Sequence, residues 1–254
     1  MSSASLTVLA TTLLSSSAFG ALVAGDIAIV GFQALGAGSD SISFVSLVEL
    51  AGGTTLYFTD NGWTGTAFRG VSATDGDGNE NLMRWTSVNT IAAGTIIGSK
   101  STSADYVWTT TGLVGAGTAA YAQLSLSSTG YQVTVLEGTV ATNPLFSGFT
   151  SLYNFDNTTA YENATSSGTG SLAPGLARGT TAVLLNNAMN SAQFNISALT
   201  SGTREDWLVA IGNSANWMIG TDTADSPSGS ILVVPAPGTL ALIACATLLA
   251  RRRR

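Results

Sequence analysis

Short apolar segments separated by turn residues constrain the fold of this chain more than any other feature. The clearest of them is Ser41 to Leu50. In an extended chain its first face would carry Ile42, Phe44, Ser46, Val48 and Leu50, and its second face Val45 and Leu47. Apolar residues on both faces predict a strand that is covered on both sides. The next strand, Leu56 to Phe58, stops at the turn signal Asp60-Asn61-Gly62.

Other apolar segments continue this pattern along the chain. We predict strands at Gly25 to Phe32, Gly94 to Gly98, Ala119 to Ser127, Tyr131 to Leu136, Thr150 to Phe155 and Thr181 to Leu185. The expected core includes Ile27, Ile29, Phe44, Val48, Leu56 and Phe58. A helix is indicated once, where Thr203 can cap an acidic first turn and Gly212 can close the last. The pattern predicts an all-β fold, an antiparallel β-sandwich with one short late helix.

The distribution of charge excludes one class of partner. The chain has 254 residues, with nine Lys and Arg against 15 Asp and Glu. Four of the bases are the last four residues, and the other five are Arg69, Arg84, Lys100, Arg178 and Arg204. Without the final arginines the charge is 5 − 15 = −10. Such a body leaves little room for a basic nucleic-acid surface, so we expect no nucleic-acid partner.

The absence of histidine removes several kinds of catalytic site. With no histidine in the sequence, a Ser-His-Asp triad, a Cys-His pair and a histidine-ligated zinc cannot form. A phosphate-binding G-x-x-x-x-G-K-[ST] loop is also missing. Two carboxylates could still act on a sugar, but no motif pairs the acids of this chain. We therefore expect a protein that is not an enzyme.

One acidic loop has a definite chemistry. In the segment 74–80, Asp75, Asp77 and Asn79 alternate with glycines, and Glu80 follows. Alternating side-chain oxygens on a tight loop are typical of calcium sites. However, Thr86 occupies the twelfth position, where an EF-hand loop carries its bidentate glutamate. The segment is either a calcium site or a solvated acidic turn, and we expect no other cofactor.

The N-terminal 20 residues have the composition of a signal peptide. An apolar stretch is followed by small residues, and cleavage after Ala18 or Gly20 would leave a small residue at the −3 position. The positively charged start of a typical signal peptide is absent. We predict an exported protein with a signal peptide over 1–20 and a body over 21–232.

The C-terminal residues 233–254 form a separate unit. Pro235, Ala236 and Pro237 precede the apolar run 238–250, and the chain closes on Arg251, Arg252, Arg253 and Arg254. The prolines keep their segment out of helix and sheet. The run is shorter than the roughly 20 residues of a usual membrane span, while terminal arginines mark a cytoplasmic end. The only cysteine, Cys245, lies in this run, so the body contains no disulfide.

This order of turn, apolar run and arginines resembles the PEP-CTERM sorting signal of bacterial exosortase substrates, with Ala236 in place of the usual glutamate. The resemblance implies an exosortase-type processing enzyme as partner and transient membrane anchoring. It also implies a final location in the cell envelope, at the cell surface or in the extracellular matrix, where envelope or matrix polysaccharide is a further expected partner.

The body resembles a type of bacterial secreted domain. The segments G-D-I-A-I-V-G-F, D-S-I-S-F-V-S-L-V-E-L and T-T-L-Y-F-T-D-N-G-W carry this resemblance, and the first half is distantly similar to the lamin-tail type of immunoglobulin-like sandwich. The resemblance implies a β-sandwich, and it brings no catalytic motif.

Two alternatives to a processed surface protein stay open. The first is a carbohydrate-binding or carbohydrate-acting protein that uses the loops bearing aspartate and tryptophan. Against it, Trp63, Phe68 and Trp85 are more typical of core or rim packing than of a ligand platform. The second is a surface protein that stays permanently anchored because its tail is never cleaved.

Overall fold

The structure is a computed structural model of the chain. It describes residues 20–34, 40–68, 82–102, 105–108, 113–114, 124, 126, 131–138, 148–161, 170–186, 189–220, 227 and 229–236.

Strands dominate the described part of the chain. The elements are β1 (Ile27–Gln33), β2 (Ser41–Ser46), β3 (Thr55–Thr59), β4 (Leu82–Ser87), β5 (Ile96–Thr102), β6 (Asp105–Trp108), β7 (Leu113–Val114), β8 (Gln132–Gly138), β9 (Phe149–Asp156), β10 (Ala182–Leu184), β11 (Ser191–Phe194), α1 (Arg204–Gly212) and β12 (Trp217–Gly220). Short 3₁₀ turns at Ile196–Ala198 and Ser214–Asn216 flank α1.

The strands form two six-stranded sheets. The first sheet has the order β12-β11-β1-β2-β5-β6, and the second has the order β10-β9-β8-β3-β4-β7. All described strand pairs are antiparallel except β9 and β10, which are parallel. The expectation of a purely antiparallel fold is therefore wrong at this edge. The connection between these strands, residues 157–181, is long enough for the crossover that a parallel pair requires.

Aromatic side chains join the two sheets face to face. Phe32 of the first sheet contacts Phe155 of the second, with ring centroids 4.8 Å apart. Phe44 contacts both Phe58 and Trp85, each at 5.2 Å. The predicted core is confirmed for Ile27, Ile29, Phe44, Leu56 and Phe58, all of which have no exposed surface. In the part of the chain that the structure describes, the architecture is thus a two-layer β-sandwich with one α-helix.

The long strand predicted from Ser41 to Leu50 is only partly correct. All six residues of β2 are buried, which confirms that this strand is covered on both faces. The strand ends at Ser46, whose hydroxyl donates to the carbonyl of Val48 at 2.7 Å and bends the chain. Val48 then packs at the border of the core, and Leu50 forms an isolated bridge with Ile91.

A β-bulge in β1 changes which residues face the core. Ile29 pairs with Phe44 and Phe32 pairs with Ile42, and the register shifts between Ile29 and Gly31. Phe44 and Ile42 lie two residues apart in β2 and therefore on one face. The bulge consequently places Ile29 and Phe32 on the same face, although they are three residues apart.

The sequence pattern does not predict several of the strands. The strands without a sequence signal are β4, β6, β7, β11 and β12. In β11, Ser191, Ala192 and Gln193 have no strong strand preference, and pairing with β1 and β12 holds them extended. The strand predicted over 119–127 lies outside the described residues except for 124 and 126, where two leucines are buried.

The predicted helix is confirmed together with its cap. The Thr203 hydroxyl accepts from the Asp206 N–H, and the Asp206 carboxylate accepts from the Thr203 N–H at 2.9 Å, so a reciprocal capping box forms. These bonds lower the pKa of Asp206. Trp207, Leu208 and Ile211 are buried, as predicted. Arg204 makes an ion pair with Asp26 at the start of β1.

Thr203→Ala tests the capping box. The variant loses the hydroxyl that accepts from Asp206, so we expect the free energy of unfolding to fall by about 1 kcal/mol at neutral pH. Because the folded-state pKa of Asp206 is lowered, its contribution is present above its unfolded pKa and is lost as pH falls through the folded value. The backbone N–H of residue 203 is the main cause of the lowered pKa and remains in the variant, but the Thr203 hydroxyl, which donates to the Asp206 carboxylate at 2.9 Å, is lost. The deficit of the variant should therefore shrink in acid.

Urea denaturation at pH 7 and at about pH 3, below the ordinary Asp pKa of about 3.9, measures both effects. Ser201→Ala, an exposed change two residues earlier, is the control and should match the wild type. Equal stability of Thr203→Ala and the wild type at pH 7 would contradict the cap.

Candidate functional site

The first candidate site is the C-terminal segment, whose residues 229–234 we name the strap. The Ile231 N–H donates to the Gly94 carbonyl at 3.0 Å, and Ser230 forms an antiparallel bridge with Thr95. Gly94 has a φ of +85°, and a Cβ atom there would lie 2.0 Å from the Ile231 carbonyl oxygen. The approach of the strap to β5 therefore requires glycine at this position.

A second set of hydrogen bonds ties the strap to α1. The carbonyl of Leu232 accepts from the Gly202 N–H at 3.2 Å and from the Trp207 ring N–H at 3.0 Å. The Val234 N–H donates to the Gly202 carbonyl at 2.8 Å. Ile231 is buried and Leu232 is 60% exposed, as expected for an extended segment that covers the edge of the core.

The predicted sorting residues begin where the strap ends. The bond from Val234 is the last backbone hydrogen bond in the described part of the chain, and Pro235 and Ala236 are exposed. Pro235 has no N–H and cannot extend the strap. Pro237 and Arg251, Arg252, Arg253 and Arg254 lie outside the described residues. No described helix is both long enough and apolar enough to cross a bilayer.

The strap lies at one end of the sandwich, which we name the strap end. Ser46 at the end of β2 accepts from the Gly94 N–H at 2.7 Å, and Asp26 at the start of β1 accepts from the Leu47 N–H at 2.8 Å. Since Asp26 also pairs with Arg204, the start of the body, the strap and α1 are all joined here.

The opposite end of the sandwich, which we name the polar end, buries three aspartates. Asp40, Asp60 and Asp156 are 2%, 0% and 0% exposed. Asp40 accepts from the Leu126 N–H at 2.9 Å, and Asp156 accepts from the Thr158 N–H at 2.7 Å. Asn157 fixes this end, since it accepts from the Tyr131 N–H and donates to the Met189 carbonyl at 2.8 Å.

A row of polar side chains crosses the outer face of the second sheet near the polar end. Thr59, Thr134 and Asn154 lie directly opposite one another in β3, β8 and β9. The Asn154 amide donates to the Thr134 hydroxyl at 2.9 Å, and the Asn61 amide donates to the Thr59 hydroxyl at 3.1 Å. Both asparagines have no exposed surface. The sequence pattern around Asn61 indicates only a turn.

A second row lies beside the first, and a loop covers it. Gln132 is directly opposite Asp156 in the second sheet. Gly170 lies against Gln132 so closely that a Cβ atom would be 2.1 Å from its amide oxygen. The next residue, Ser171, pairs with Trp63. The polar rows are therefore closed off from solvent by the loops that contain Trp63 and Gly170.

A tyrosine phenol near this face stays neutral. Burial raises the pKa of Tyr161, and the nearby charge of Asp156 raises it further. The Tyr161 hydroxyl therefore keeps its proton and donates to the Val183 carbonyl at 3.1 Å.

The large aromatic residues behave as packing groups. Trp85 is fully buried against Phe44 in the core. Trp63 and Phe68 are half-buried and pack edge to face, with ring centroids 5.1 Å apart. The prediction of core and rim packing is confirmed for these three residues.

The predicted calcium loop, residues 74–80, is a further candidate site. Asp75, Asp77, Asn79 and Glu80 all lie outside the described residues. Within the described ranges, no group of three or more Asp, Glu, Cys or His side chains is arranged to hold a metal.

Comparisons with known proteins identify no relative of the chain. No protein-family model matches it, and searches of curated sequences and of solved structures find no significant match.

Gly94→Ala tests the attachment of the strap. Two costs combine in this variant, namely a positive φ for alanine and a collision with the carbonyl of Ile231. We expect the strap to detach from β5 and the free energy of unfolding to fall by roughly 2–4 kcal/mol. Chemical denaturation gives the energy, and limited proteolysis near residues 229–236 reports the detachment.

Gly53→Ala is the matched control for this test. Gly53 has a φ of +88°, but no atom lies within 4 Å of its hypothetical Cβ. It should therefore show only the backbone cost, about 1 kcal/mol, without new cleavage in the strap. Equal losses in the two variants would show that the strap does not depend on contact with Gly94.

Proposed function

We propose that this chain is a non-enzymatic exported protein that an exosortase-type system recognises through its C-terminal tail. The order of parts supports the proposal, because Pro235-Ala236-Pro237, a short apolar run and four arginines follow one another in 235–254. The mature body would reside in the cell envelope, at the cell surface or in the extracellular matrix. Envelope or matrix polysaccharide is the proposed partner there.

One observation carries the proposal, namely that the chain leaves the body at Pro235. The strap is bonded to the body up to Val234, whereas Pro235 and Ala236 are exposed. A processing enzyme needs an extended backbone that it can bind without unfolding its substrate. Proline at the first free position prevents the strap from growing by one more bond.

The positions of the three aspartates at the polar end support a role other than catalysis. A glycosidase needs two carboxylates that face a sugar, whereas Asp40, Asp60 and Asp156 are almost completely buried. The sequence also has no histidine for general acid-base chemistry. We therefore propose that the body acts through its surface.

The relation of the body to the lamin-tail type of immunoglobulin-like sandwich is also a proposal. The two-layer arrangement of antiparallel and mixed sheets supports it, together with the quoted segments from β1 to β3. The resemblance is to the architecture and assigns no ligand.

The carbohydrate-binding alternative would use the rim near Trp63. That ring is half-buried and packs on Phe68, which leaves part of it for contact with a sugar. Permanent anchoring is the other alternative, and it differs only in the fate of the tail. The experiment below distinguishes processing from permanent anchoring.

Intact-mass analysis of protein recovered from the surface of the native host tests the processing step. We expect the mature protein to lack Arg251 to Arg254. The double change Pro235→Ala with Pro237→Ala should leave more unprocessed chain in the membrane fraction, since the segment before the apolar run would no longer be held out of helix.

Pro174→Ala is the control, because Pro174 is an exposed proline in the body. It should be processed like the wild type. Recovery of surface protein with all four arginines would contradict processing and leave permanent anchoring.

A further inference from the structure

Two asparagine oxygens on the outer face of the second sheet are buried without a protein partner. They are Oδ1 of Asn61 and Oδ1 of Asn154, and neither accepts a hydrogen bond from the described residues. Buried amide oxygens almost always have a partner. An orphan pair on one face therefore indicates a bound species that completes the arrangement.

Hydrogen bonds fix the orientation of both amides. The Asn61 amide nitrogen donates to Thr59, and the Asn154 amide nitrogen donates to Thr134. Since Thr59 and Thr134 are directly opposite in β3 and β8, the two amides donate to neighbouring threonines on one face of the sheet. In each amide, the nitrogen donates a hydrogen bond to a threonine hydroxyl, and the oxygen remains available as an acceptor.

A buried negative charge lies in the adjacent row. Asp156 is two residues after Asn154 in β9, on the same face, and it has no exposed surface. Its carboxylate accepts from the Thr158 N–H.

The size of the missing partner follows from the burial. The asparagines and Asp156 are 0% exposed, and Gly170 covers Gln132 in the same row. A sugar or a peptide could not reach these oxygens without opening the loops. The missing partner must therefore be a water molecule or a single ion. It would bind the oxygens of Asn61 and Asn154, which are hydrogen-bond acceptors, near the carboxylate of Asp156.

We propose that Asn61, Asn154 and Asp156 bind a single hard cation of the calcium class. Amide and carboxylate oxygens are the ligands that calcium prefers. A single carboxylate gives the site little charge, which places the expected Kd in the range of about 10⁻⁴–10⁻³ M, as in extracellular calcium modules. The site consists only of described residues, and none of them belongs to the predicted loop at Asp75.

Thermal unfolding of the purified full-length chain tests the proposal. We compare excess chelator with about 10 mM calcium at constant ionic strength, with sodium as the balancing salt. At about ten times Kd, a ligand that binds only the folded state should raise Tm by about 3–6 °C. Asn61→Leu and Asn154→Leu remove one ligand oxygen each and should abolish this calcium-dependent rise.

Two control variants locate the site. Asn190→Leu also removes a buried orphan oxygen, but one that lies in the connection before β11 and not on the outer face of the second sheet. Asp75→Ala with Asp77→Ala removes the acids of the predicted loop. Both controls should keep the rise if the cation binds Asn61 and Asn154.

Asn154→Asp keeps the test decisive if the leucine variants fail to fold. A second carboxylate at the site should lower the Kd for calcium severalfold in equilibrium dialysis, since calcium affinity follows ligand charge. The proposal is overturned if calcium leaves the wild-type Tm unchanged, which would indicate a bound water. It is equally overturned if only the loop variant loses the rise, or if Asn154→Asp does not tighten binding.

Discussion

The contact of Phe44 with Phe58 and Trp85 is the interaction on which the rest of the structure depends. It joins the middle of the first sheet to two adjacent strands of the second, with both ring distances at 5.2 Å. Aromatic pairs of this kind contribute burial together with a preferred geometry. Because the contact sets how the sheets lie on each other, it also determines which strand ends meet at each end of the sandwich.

The two ends differ in chemistry as a consequence. At the strap end, backbone hydrogen bonds and the Arg204–Asp26 ion pair join α1 to β1 and hold the strap. At the polar end, buried aspartates and amides take the place of apolar contacts. Buried polar groups lower the stability of the fold unless they have hydrogen-bond or ionic partners. We therefore attribute the polar composition of this end to the proposed bound cation.

Local features of the fold could be predicted from the sequence. Apolar residues on both faces of the segment around Phe44 predict a covered strand, and Thr203 with its acidic first turn predicts the helix and its cap. These features depend on neighbours within a few residues. The aromatic residues were also assigned correctly as packing groups, because their size alone favours burial.

Nonlocal features could not be predicted in this way. The bulge between Ile29 and Gly31 and the parallel pairing of β9 with β10 depend on partners far along the chain. Nothing in the sequence indicates that Asn61 is buried, because Asp-Asn-Gly is ordinary turn sequence. The sequence also does not predict the attachment of the strap to Gly94 and Trp207, because these contacts join residues that are distant in sequence.

The body ends at Val234, and Pro235 and Ala236, the first residues of the proposed sorting signal, are exposed beyond it. Hydrogen exchange of the full-length chain, resolved to single amides, tests this claim most directly. We expect protection at the Ile231 and Val234 amides, which donate to Gly94 and Gly202, and exchange at the unprotected rate at Ala236. Protection that extends to Ala236, or its absence at Ile231 and Val234, would contradict the claim.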